Sequence, residues 1–535
     1  MATTLRDARC KAAWLACGVI ALTHSAHAQV PTQEQAQAPA VSAAQPPQGT
    51  APIFTPTLGM QVSHSDNATQ TTSSRRQSDT IVSVSPGVSL AYRGANSTVT
   101  GQMQLSSVNY LGNTQADRLL PNGRLALHTE VARQGWGLDA SVAADQVKSQ
   151  FTSAQSASTS TADTYTNTRV QVSPFLERAL DAQTLLRARL ERTQLHSTAN
   201  SDGLSNRPNT NTNGASLNIS RRPSRAGYVL SARYQDTQAD GQAQSIYVQR
   251  LVKGTALYAL SPELEVGLVL GRESNQALLQ QYRDTVKGAQ FEWRPSQRTQ
   301  VKALVEERFF GRSWEAEASH RTPMLSLGLS SNRQISTYTS PLGNGLATGG
   351  STQALLDALL TSRIPDEAER GKAVNDMITQ RNLPRQLGST RDLYDLNAQV
   401  RQATVARAAL MGVRSVLLVS AGQTMSRPLT GDAFSSLLGP GNETRERYAD
   451  TQINHRMTPS ATLTMGLRTS RARILSTVLG TTTTSREVGL RLSLSSMLSP
   501  RTQAVGGLRR QRTVVSASGE AITENVVFAG LEHRF

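Results

Sequence analysis

The stretch Glu524-Asn525-Val526-Val527-Phe528-Ala529-Gly530-Leu531-Glu532-His533-Arg534-Phe535 decides the fold. Successive side chains of a β-strand point to opposite faces, so this stretch presents two different surfaces. The first surface carries Val527, Ala529, Leu531, His533 and Phe535. The second carries Val526, Phe528, Gly530, Glu532 and Arg534. One strand is a weak signal, and its meaning depends on whether the rest of the chain alternates in the same way.

The same two-residue period recurs from Thr57 onwards, in stretches of about ten residues. The clearest examples are the segments 136–145, 264–271, 325–330 and 488–495. In each of them one face is apolar and suits lipid, while the other is polar or small and suits water. This pattern is typical of the strands of a transmembrane β-barrel.

The connections between these stretches alternate in length. Short turns rich in Pro, Ser and Gly occur at Gly94–Asn96, Arg133–Gly135, Ala179–Asp181, Arg222–Ser224, Ser261–Glu263, Arg294–Ser296, Thr458–Ser460 and Ser499–Arg501. Longer polar loops lie between them, for example Asp66–Ser78, Lys148–Asp163, Thr198–Thr212, Met425–Thr444 and Ser476–Ser485. Short turns on one side and long loops on the other match the periplasmic turns and extracellular loops of outer-membrane barrels.

We therefore predict an all-β fold, a transmembrane antiparallel β-barrel of about 22 strands with about 10 turns and about 11 loops. Closure into a barrel is expected because the open edges of a sheet are costly in lipid. A secreted parallel β-solenoid, as in an adhesin, is the alternative, but it does not explain the alternating loop lengths. The aromatic content of 4% stands against the barrel, because such barrels usually carry aromatic girdles.

The N-terminus is predicted to lie outside the fold. Residues 1–28 have the basic, apolar and small-residue regions of a secretory signal peptide, with cleavage before Gln29. Both cysteines, Cys10 and Cys17, fall inside it, so the mature chain is expected to have no disulfide and no thiolate metal site. Residues 29–52 are rich in Gln, Ala and Pro and predict a disordered periplasmic leader, followed by the barrel over 53–535.

The chain is strongly basic, with a formal net charge of +16 over all residues. An intracellular protein of this charge suggests nucleic acid. An exported protein does not normally meet nucleic acid, so no such partner is expected. The expected partners are outer-membrane lipids and lipopolysaccharide, the barrel-assembly machinery, and anionic solutes or glycans.

One insert, residues 338–391, interrupts the alternation. Ser351 or Thr352 starts a helix whose stripe contains Leu355 and Leu359, and Pro365 suits the first turn of a second helix that Pro384 ends. We predict a helical hairpin in a long-loop position, about fifteen strands into the barrel. The hairpin either folds into the lumen as a plug or stands outside as a docking element.

Several of these segments resemble one known family. The segments Asp66–Thr69 and Ser78–Val88, the helical insert Leu355–Leu383 and the strand pair around Gln402–Ser420 are similar to outer-membrane β-barrels associated with exosortase/PEP-CTERM protein-sorting and exopolysaccharide systems. The closing Phe535 also resembles the terminal assembly signal of outer-membrane barrels. The resemblance implies an outer-membrane location and exopolysaccharide export components as partners. It implies no reaction, cofactor or catalytic residue.

The candidate site is a set of arginines on the polar faces of the strands. They oppose apolar stripes, and an arginine facing lipid at mid-membrane costs about 2–4 kcal/mol, so we expect them to face the lumen. The lumen anion-binding candidates are Arg187, Arg189, Arg233, Arg414 and Arg491. They either form salt bridges that rigidify the wall or attract anions.

No catalytic or metal-binding motif was found in the sequence. The six histidines outside the signal peptide lack the spacing of metal ligands. A hydrolase site around His128 and Asp139 is the least favoured hypothesis. The favoured function is a conduit for anionic solute or polysaccharide. The alternative is a non-conducting structural or docking component of the same machinery.

Overall fold

The structure is a computed structural model. It describes residues 50–131, 135–148, 164–200, 207–242, 245–337, 352–361, 363–380, 383, 398–429, 442–476, 480–516, 519 and 521–535. The predicted signal peptide and most of the predicted leader lie outside these residues, as does the turn segment Arg133–Gln134. β1 begins at Thr50, within the range expected for the leader, because pairing to the next strand uses backbone groups and needs no apolar side chain.

Twenty-two strands, numbered β1 to β22 in chain order, make up the described fold. Their bounds are Thr50–Ser65, Asp79–Arg93, Ser97–Tyr110, Arg118–Glu130, Trp136–Lys148, Thr164–Ala179, Thr184–Ala199, Thr210–Arg221, Ala226–Ala239, Tyr247–Ser261, Leu264–Ala277, Gln280–Ser296, Thr299–Arg308, Gly311–Arg321, Leu325–Ser336, Gln399–Met411, Ser415–Pro428, Glu443–Arg456, Ala461–Leu475, Thr482–Ser499, Thr502–Val515 and Ala521–Arg534. Each strand pairs antiparallel with its neighbours in sequence.

The ring closes between β1 and β22. Their register runs from Thr57 opposite Arg534 to Ser65 opposite Val526. The backbone N–H of Phe535 donates to the carbonyl of Pro56 at 3.0 Å, which continues this pairing to the last residue. The predicted closed antiparallel barrel and its strand count are confirmed, and the β-solenoid is excluded.

The connections divide the barrel into two ends. The ten connections that follow even-numbered strands are short, for example 262–263 between β10 and β11. The connections that follow odd-numbered strands are mostly longer, for example 66–78 between β1 and β2. We refer to these as the short-turn end and the long-loop end, and in outer-membrane barrels they correspond to the periplasmic and extracellular sides.

The two faces of the strands differ in chemistry. On β20, Leu490, Leu492 and Leu494 are about half exposed, as expected of side chains that face lipid. The intervening face is buried and polar, and Glu487 on this face is fully buried. The side chains of cross-strand partners point to the same face, so the face that carries Glu487 can be traced from strand to strand around the ring. Because the exposed leucines lie on the other face, the face of Glu487 is the one that lines the lumen.

Aromatic residues on the outer face concentrate at one end. Those near the short-turn end are Phe54, Tyr92, Trp136, Tyr228, Tyr258 and Trp293. Such residues suit a membrane interface because each combines an apolar ring with a polar or polarisable edge. The low aromatic content is therefore consistent with the barrel, because the girdle is developed mainly at the short-turn end.

The insert between β15 and β16 contains two helices in its described part. Helix α1 spans Thr352–Leu360 and α2 spans Glu367–Gln380. The insert follows the fifteenth strand and lies in a long-loop position, as predicted. Neither described helix is long and apolar enough to cross a membrane.

Candidate functional site in the lumen

The two helices form a hairpin held by one arginine. Asp366 caps α2 by accepting a hydrogen bond from the N–H of Glu369 at 2.7 Å. Arg370 donates to the carboxylate of Asp357 on α1 at 2.7 Å. The same guanidinium donates to the carbonyl oxygens of Ile364 and Pro365 in the connection between the helices. Arg370 therefore fixes both the angle of the hairpin and its turn.

The hairpin packs against the lumen face of β16 and β17 through apolar side chains. The buried core contains Leu355, Leu356, Leu359, Leu360, Val374, Ile378 and Leu383 from the insert, with Ala409, Met411, Val416 and Leu418 from the wall. Ala409 and Leu418 are cross-strand partners, as are Met411 and Val416. Leu410 between them is 45% exposed and faces outward, so the helices lie inside the barrel.

The hairpin reaches the short-turn end, although the insert starts at the other end. The chain leaves β15 at Ser336, on the long-loop side. Met411 and Val416 flank the short turn between β16 and β17, and both contact the hairpin core. Arg363 also donates to the carbonyl of Pro323, in the short turn before β15, at 3.4 Å. The described helices therefore reach the short-turn end of the lumen, whereas β15 ends and β16 begins at the long-loop end.

At the long-loop end, the two described ends of the insert contact a different part of the barrel wall. Thr337 directly follows β15, and its hydroxyl accepts a hydrogen bond from Gln235 on β9 at 3.5 Å. Ala398 directly precedes β16 and is buried against Tyr247 on β10 and Ala277 on β11. These contacts join walls that are five or six strands apart. The insert therefore narrows the lumen at both ends.

The lumen face of β10–β13 is neutralised by a network of ion pairs. Glu273 is 1% exposed and accepts hydrogen bonds from Arg308 at 2.9 and 2.5 Å, and from the N–H of Phe309 at 2.9 Å. Glu306 pairs with Lys253 at 2.6 Å. Each buried charge in this network therefore has a partner, as buried ions require.

Two of the predicted arginines lie on the lumen face and are ion-paired. Arg189 on β7 contacts Asp139 on β5 at 2.6 Å. Arg187 contacts Glu177 on β6 at 3.1 Å. Their inward orientation agrees with the sequence pattern, and their pairing favours the rigidified wall in this sector.

The other three predicted arginines differ from these and from one another. Arg233 on β9 faces the lumen and is exposed, with no hydrogen bond or ion pair to another described residue. Arg491 on β20 also faces the lumen, with its guanidinium carbon 5.3 Å from the ring centroid of Phe528. Arg414 lies in the short turn between β16 and β17, not on a strand face. Its placement on the lumen wall was wrong, because the alternation read through Val413 stops where the strand ends.

The lumen arginines that were missed include two that flank one position of β5. Arg124 on β4 and Arg169 on β6 both pair with Ala143 on β5, so they flank it on the same face. With strands about 4.8 Å apart, their backbones lie about 10 Å apart. Among the described residues, neither side chain has an ion-pair partner. The alternation of the sequence could have identified both arginines, because each is followed by an outward-facing apolar residue, Leu125 or Val170.

His128 belongs to the charge network of the lumen. Its Nδ1 lies 2.9 Å from Asp139 and its Nε2 lies 3.7 Å from Glu130. The ring of Phe175 stacks on it with centroids 5.3 Å apart. Among the described contacts, each ring nitrogen of His128 faces a carboxylate. No serine hydroxyl of a described residue lies within hydrogen-bond distance of either nitrogen, as a serine nucleophile would require. In the same part of the chain, no group of three His, Cys, Asp or Glu side chains is placed to hold a metal ion.

Comparison with known proteins identifies only a general likeness. No protein-family model matches the chain, and no curated protein matches it. Among solved structures, the siderophore receptor PirA from Acinetobacter baumannii aligns over 90% of this chain and 80% of that chain, with 10% identity and a TM-score of 0.47. The FrpB iron transporter from Neisseria meningitidis covers 90% of this chain and 81% of its own length, with 9% identity and a TM-score of 0.45.

A third structure, OpdK from Pseudomonas aeruginosa with vanillate, aligns over 90% of this chain and 99% of that chain, with 9% identity and a TM-score of 0.35. Likenesses at this level carry no inference about ligand or activity. The class of the protein follows from its own geometry. The closed antiparallel ring, the apolar outer face and the two kinds of connection define an outer-membrane β-barrel.

Proposed function

We propose that the protein is an outer-membrane conduit for anionic solute or polysaccharide, with a lumen that its own helical insert narrows. The observation that carries this proposal is the apolar core between the hairpin and the lumen face of β16 and β17. A barrel of about 22 strands is wide enough to need a plug. A plug that belongs to the same chain stays tethered to the barrel when it leaves the wall, so it is suited to regulated opening.

The unpaired lumen arginines support a path for anions. Arg124, Arg169 and Arg233 lie on β4, β6 and β9, outside the neutralised sector of β10–β13. A guanidinium without a carboxylate partner is stable only where water or a mobile anion surrounds it. This sector of the lumen is therefore expected to be hydrated and to favour anions over cations.

The substrate class rests on the family resemblance described above. Barrels associated with exosortase/PEP-CTERM and exopolysaccharide systems are linked to surface polysaccharide, and acidic polysaccharides are polyanions. Deletion of the gene is expected to reduce extracellular polysaccharide, and complementation is expected to restore it. Unchanged polysaccharide would leave a small anionic solute as the cargo.

Export through a cleaved signal peptide is part of the same proposal. Protein recovered from outer-membrane fractions is expected to begin at Gln29 and to migrate faster on gels before boiling than after. A full-length N-terminus, or recovery from the soluble periplasm, would contradict the proposed location.

The conduit hypothesis is tested by releasing the helical hairpin from the lumen wall. Leu356→Asp with Leu359→Asp places two carboxylates in the apolar core, whereas Gln353→Asp with Ala354→Asp places them on the exposed face of the same helix. In planar bilayers, the core variant is expected to increase single-channel conductance severalfold, with a preference for anions. The exposed-face variant is expected to match the wild type.

The alternative function is a non-conducting structural or docking component. Contacts of the insert at both ends of the lumen favour it, because a doubly attached plug resists displacement. Two results would support this alternative: no conductance from the core variant, and none after deletion of residues 352–380, in protein that still shows heat-modifiable migration.

A further inference from the structure

A patch of arginines covers the outer face of four neighbouring strands at the long-loop end. Its members are Arg445 and Arg447 on β18, Arg471 and Arg473 on β19, Arg486 on β20, and Arg510 and Arg512 on β21. All seven are exposed. They share the outward face with Leu467 and Leu490, as their register pairs require. We call these seven residues the arginine patch.

The arginine patch is compact. Arg447, Arg471 and Arg486 are successive cross-strand partners, and Arg445 pairs with Arg473 beside them. On β21 the arginines stand two and four residues lower in this register, opposite Val488 and Leu490. Arg512 is therefore a diagonal neighbour of Arg486, at a typical separation of about 7–8 Å. From the strand spacing, the patch is roughly 15 Å wide.

No carboxylate lies among the seven arginines, and Glu443, on the same face of β18, is paired with Arg427 at 3.2 Å. The outward positions within 445–449, 469–473, 484–488 and 510–514 include no Asp or Glu. Arg445 and Arg447 both donate to the side-chain oxygen of Gln423, at 3.1 and 2.7 Å, which orients them without neutralising them. The other five form no hydrogen bond or ion pair through their side chains with a described residue.

An apolar groove lies directly beneath the arginine patch on the same outer face. Its volume is about 770 Å³, and its lining includes Met465, Leu467, Leu490, Leu492 and Leu508. Arg510 also lines the groove and so joins it to the patch. The combination of an apolar groove with several unneutralised cations at its upper edge suits an amphiphile with acyl chains and a strongly anionic headgroup.

We propose that the arginine patch and this groove bind a multiply phosphorylated glycolipid of the outer leaflet, the lipid A portion of lipopolysaccharide. One phosphate engages two or three guanidinium groups, so seven suit more than one phosphate on one headgroup. The acyl chains lie along the groove. A phospholipid with a single phosphate leaves most of the patch unneutralised. The site lies outside the lumen and is independent of transport.

The test compares two charge-matched variants of the full-length protein. The patch variant replaces four outward arginines by glutamine: Arg471, Arg486, Arg510 and Arg512. The control replaces four exposed arginines in the short turns by glutamine: Arg222, Arg225, Arg298 and Arg501. Heat-modifiable migration confirms that each variant is folded. Binding is measured in neutral detergent with bisphosphorylated lipid A, fully dephosphorylated lipid A, phosphatidylglycerol and inorganic phosphate.

The wild type and the control are expected to bind bisphosphorylated lipid A with apparent Kd values within twofold of each other. The patch variant is expected to bind it at least tenfold more weakly. Dephosphorylated lipid A and phosphatidylglycerol are expected to bind the wild type at least tenfold more weakly as well. Equal binding by the patch variant, equal binding of phosphatidylglycerol, or full displacement by an equimolar amount of inorganic phosphate would overturn the proposal.

Discussion

Arg189 on β7 and Arg471 on β19 are both strand arginines, yet they lie on opposite faces of the barrel and their surroundings differ completely. Arg189 faces the lumen and contacts Asp139 at 2.6 Å. Arg471 faces outward and has Arg447 and Arg486 as its cross-strand partners, with no acid at the adjacent outward positions. The distribution of Asp and Glu between the two faces accounts for the difference, because carboxylates on the lumen face of these strands neutralise the inward arginines. An arginine in this barrel is therefore structural where a carboxylate faces it, and available to a ligand where none does.

The largest effect is expected when a carboxylate is removed from the most buried ion pair. Glu273→Gln removes the closest carboxylate of the buried Arg308 guanidinium and leaves it with Glu306 at 3.9 Å. The free energy of unfolding is expected to fall by about 3–5 kcal/mol. Urea titration of the reconstituted protein, followed by heat-modifiable migration, measures this loss.

The matched control is Glu532→Gln, which removes the carboxylate of the exposed pair with Arg534. Its effect is expected to be below about 1 kcal/mol, because water screens such pairs. Equal losses for the two variants would show that burial does not separate structural arginines from available ones.

The second test converts a paired arginine into an unpaired one. Asp139→Asn removes the charge that Arg189 and His128 share. It is expected to lower the free energy of unfolding by about 1–3 kcal/mol. It is also expected to shift the reversal potential in a KCl gradient towards that of chloride when the hairpin is undocked by Leu356→Asp and Leu359→Asp. A loss of stability without any change in selectivity would mean that the conducting path avoids β5–β7.

The third test removes arginines that already lack partners. Arg124→Gln with Arg169→Gln is expected to change the free energy of unfolding by less than about 1 kcal/mol, because no described ion pair is broken. Anion preference is expected to fall in the same undocked background. Arg414→Gln is the control, because its arginine is in a short turn. Equal changes in selectivity for both would assign the effect to surface charge at the channel mouth.

The smallest effect is expected from one outward arginine in the absence of lipid. Arg471→Gln should change the free energy of unfolding by less than about 0.5 kcal/mol in neutral detergent, because the side chain has no described partner to lose. Urea titration without added lipopolysaccharide is the measurement. A larger loss would indicate that the arginine patch stabilises the wall itself.

Much of the fold followed from local patterns in the sequence. A two-residue period and the spacing of turn residues are local features, so they predicted the antiparallel barrel and the number of its strands. The same period placed Arg187, Arg189, Arg233 and Arg491 inside. The same period wrongly placed Arg414 on the lumen wall, because it does not show where a strand ends.

Other features depend on distant contacts and could not be read in this way. The apolar stripe of α1 was recognised, but only the contact of Leu356 and its neighbours with the lumen face of β16 and β17 places the hairpin inside. The sequence did not reveal the arginine patch, because the two-residue period does not show how deep in the membrane a residue lies. An outward arginine is costly at mid-membrane and tolerated near the headgroups. The expected role of Phe535 as an assembly signal stays a prediction.

The β1–β22 seam has a consequence for the order of assembly. Ser65 donates to Glu524 at 2.9 Å, and Asp66 accepts from the backbone and side-chain N–H groups of Asn525 at 2.7 and 2.6 Å. These partners are separated by 459 residues, far more than the partners of any other described strand pair, so the seam is expected to form last. A slip of one residue would turn Glu524 towards lipid. The polar contacts at the seam are therefore expected to favour a single register when the ring closes.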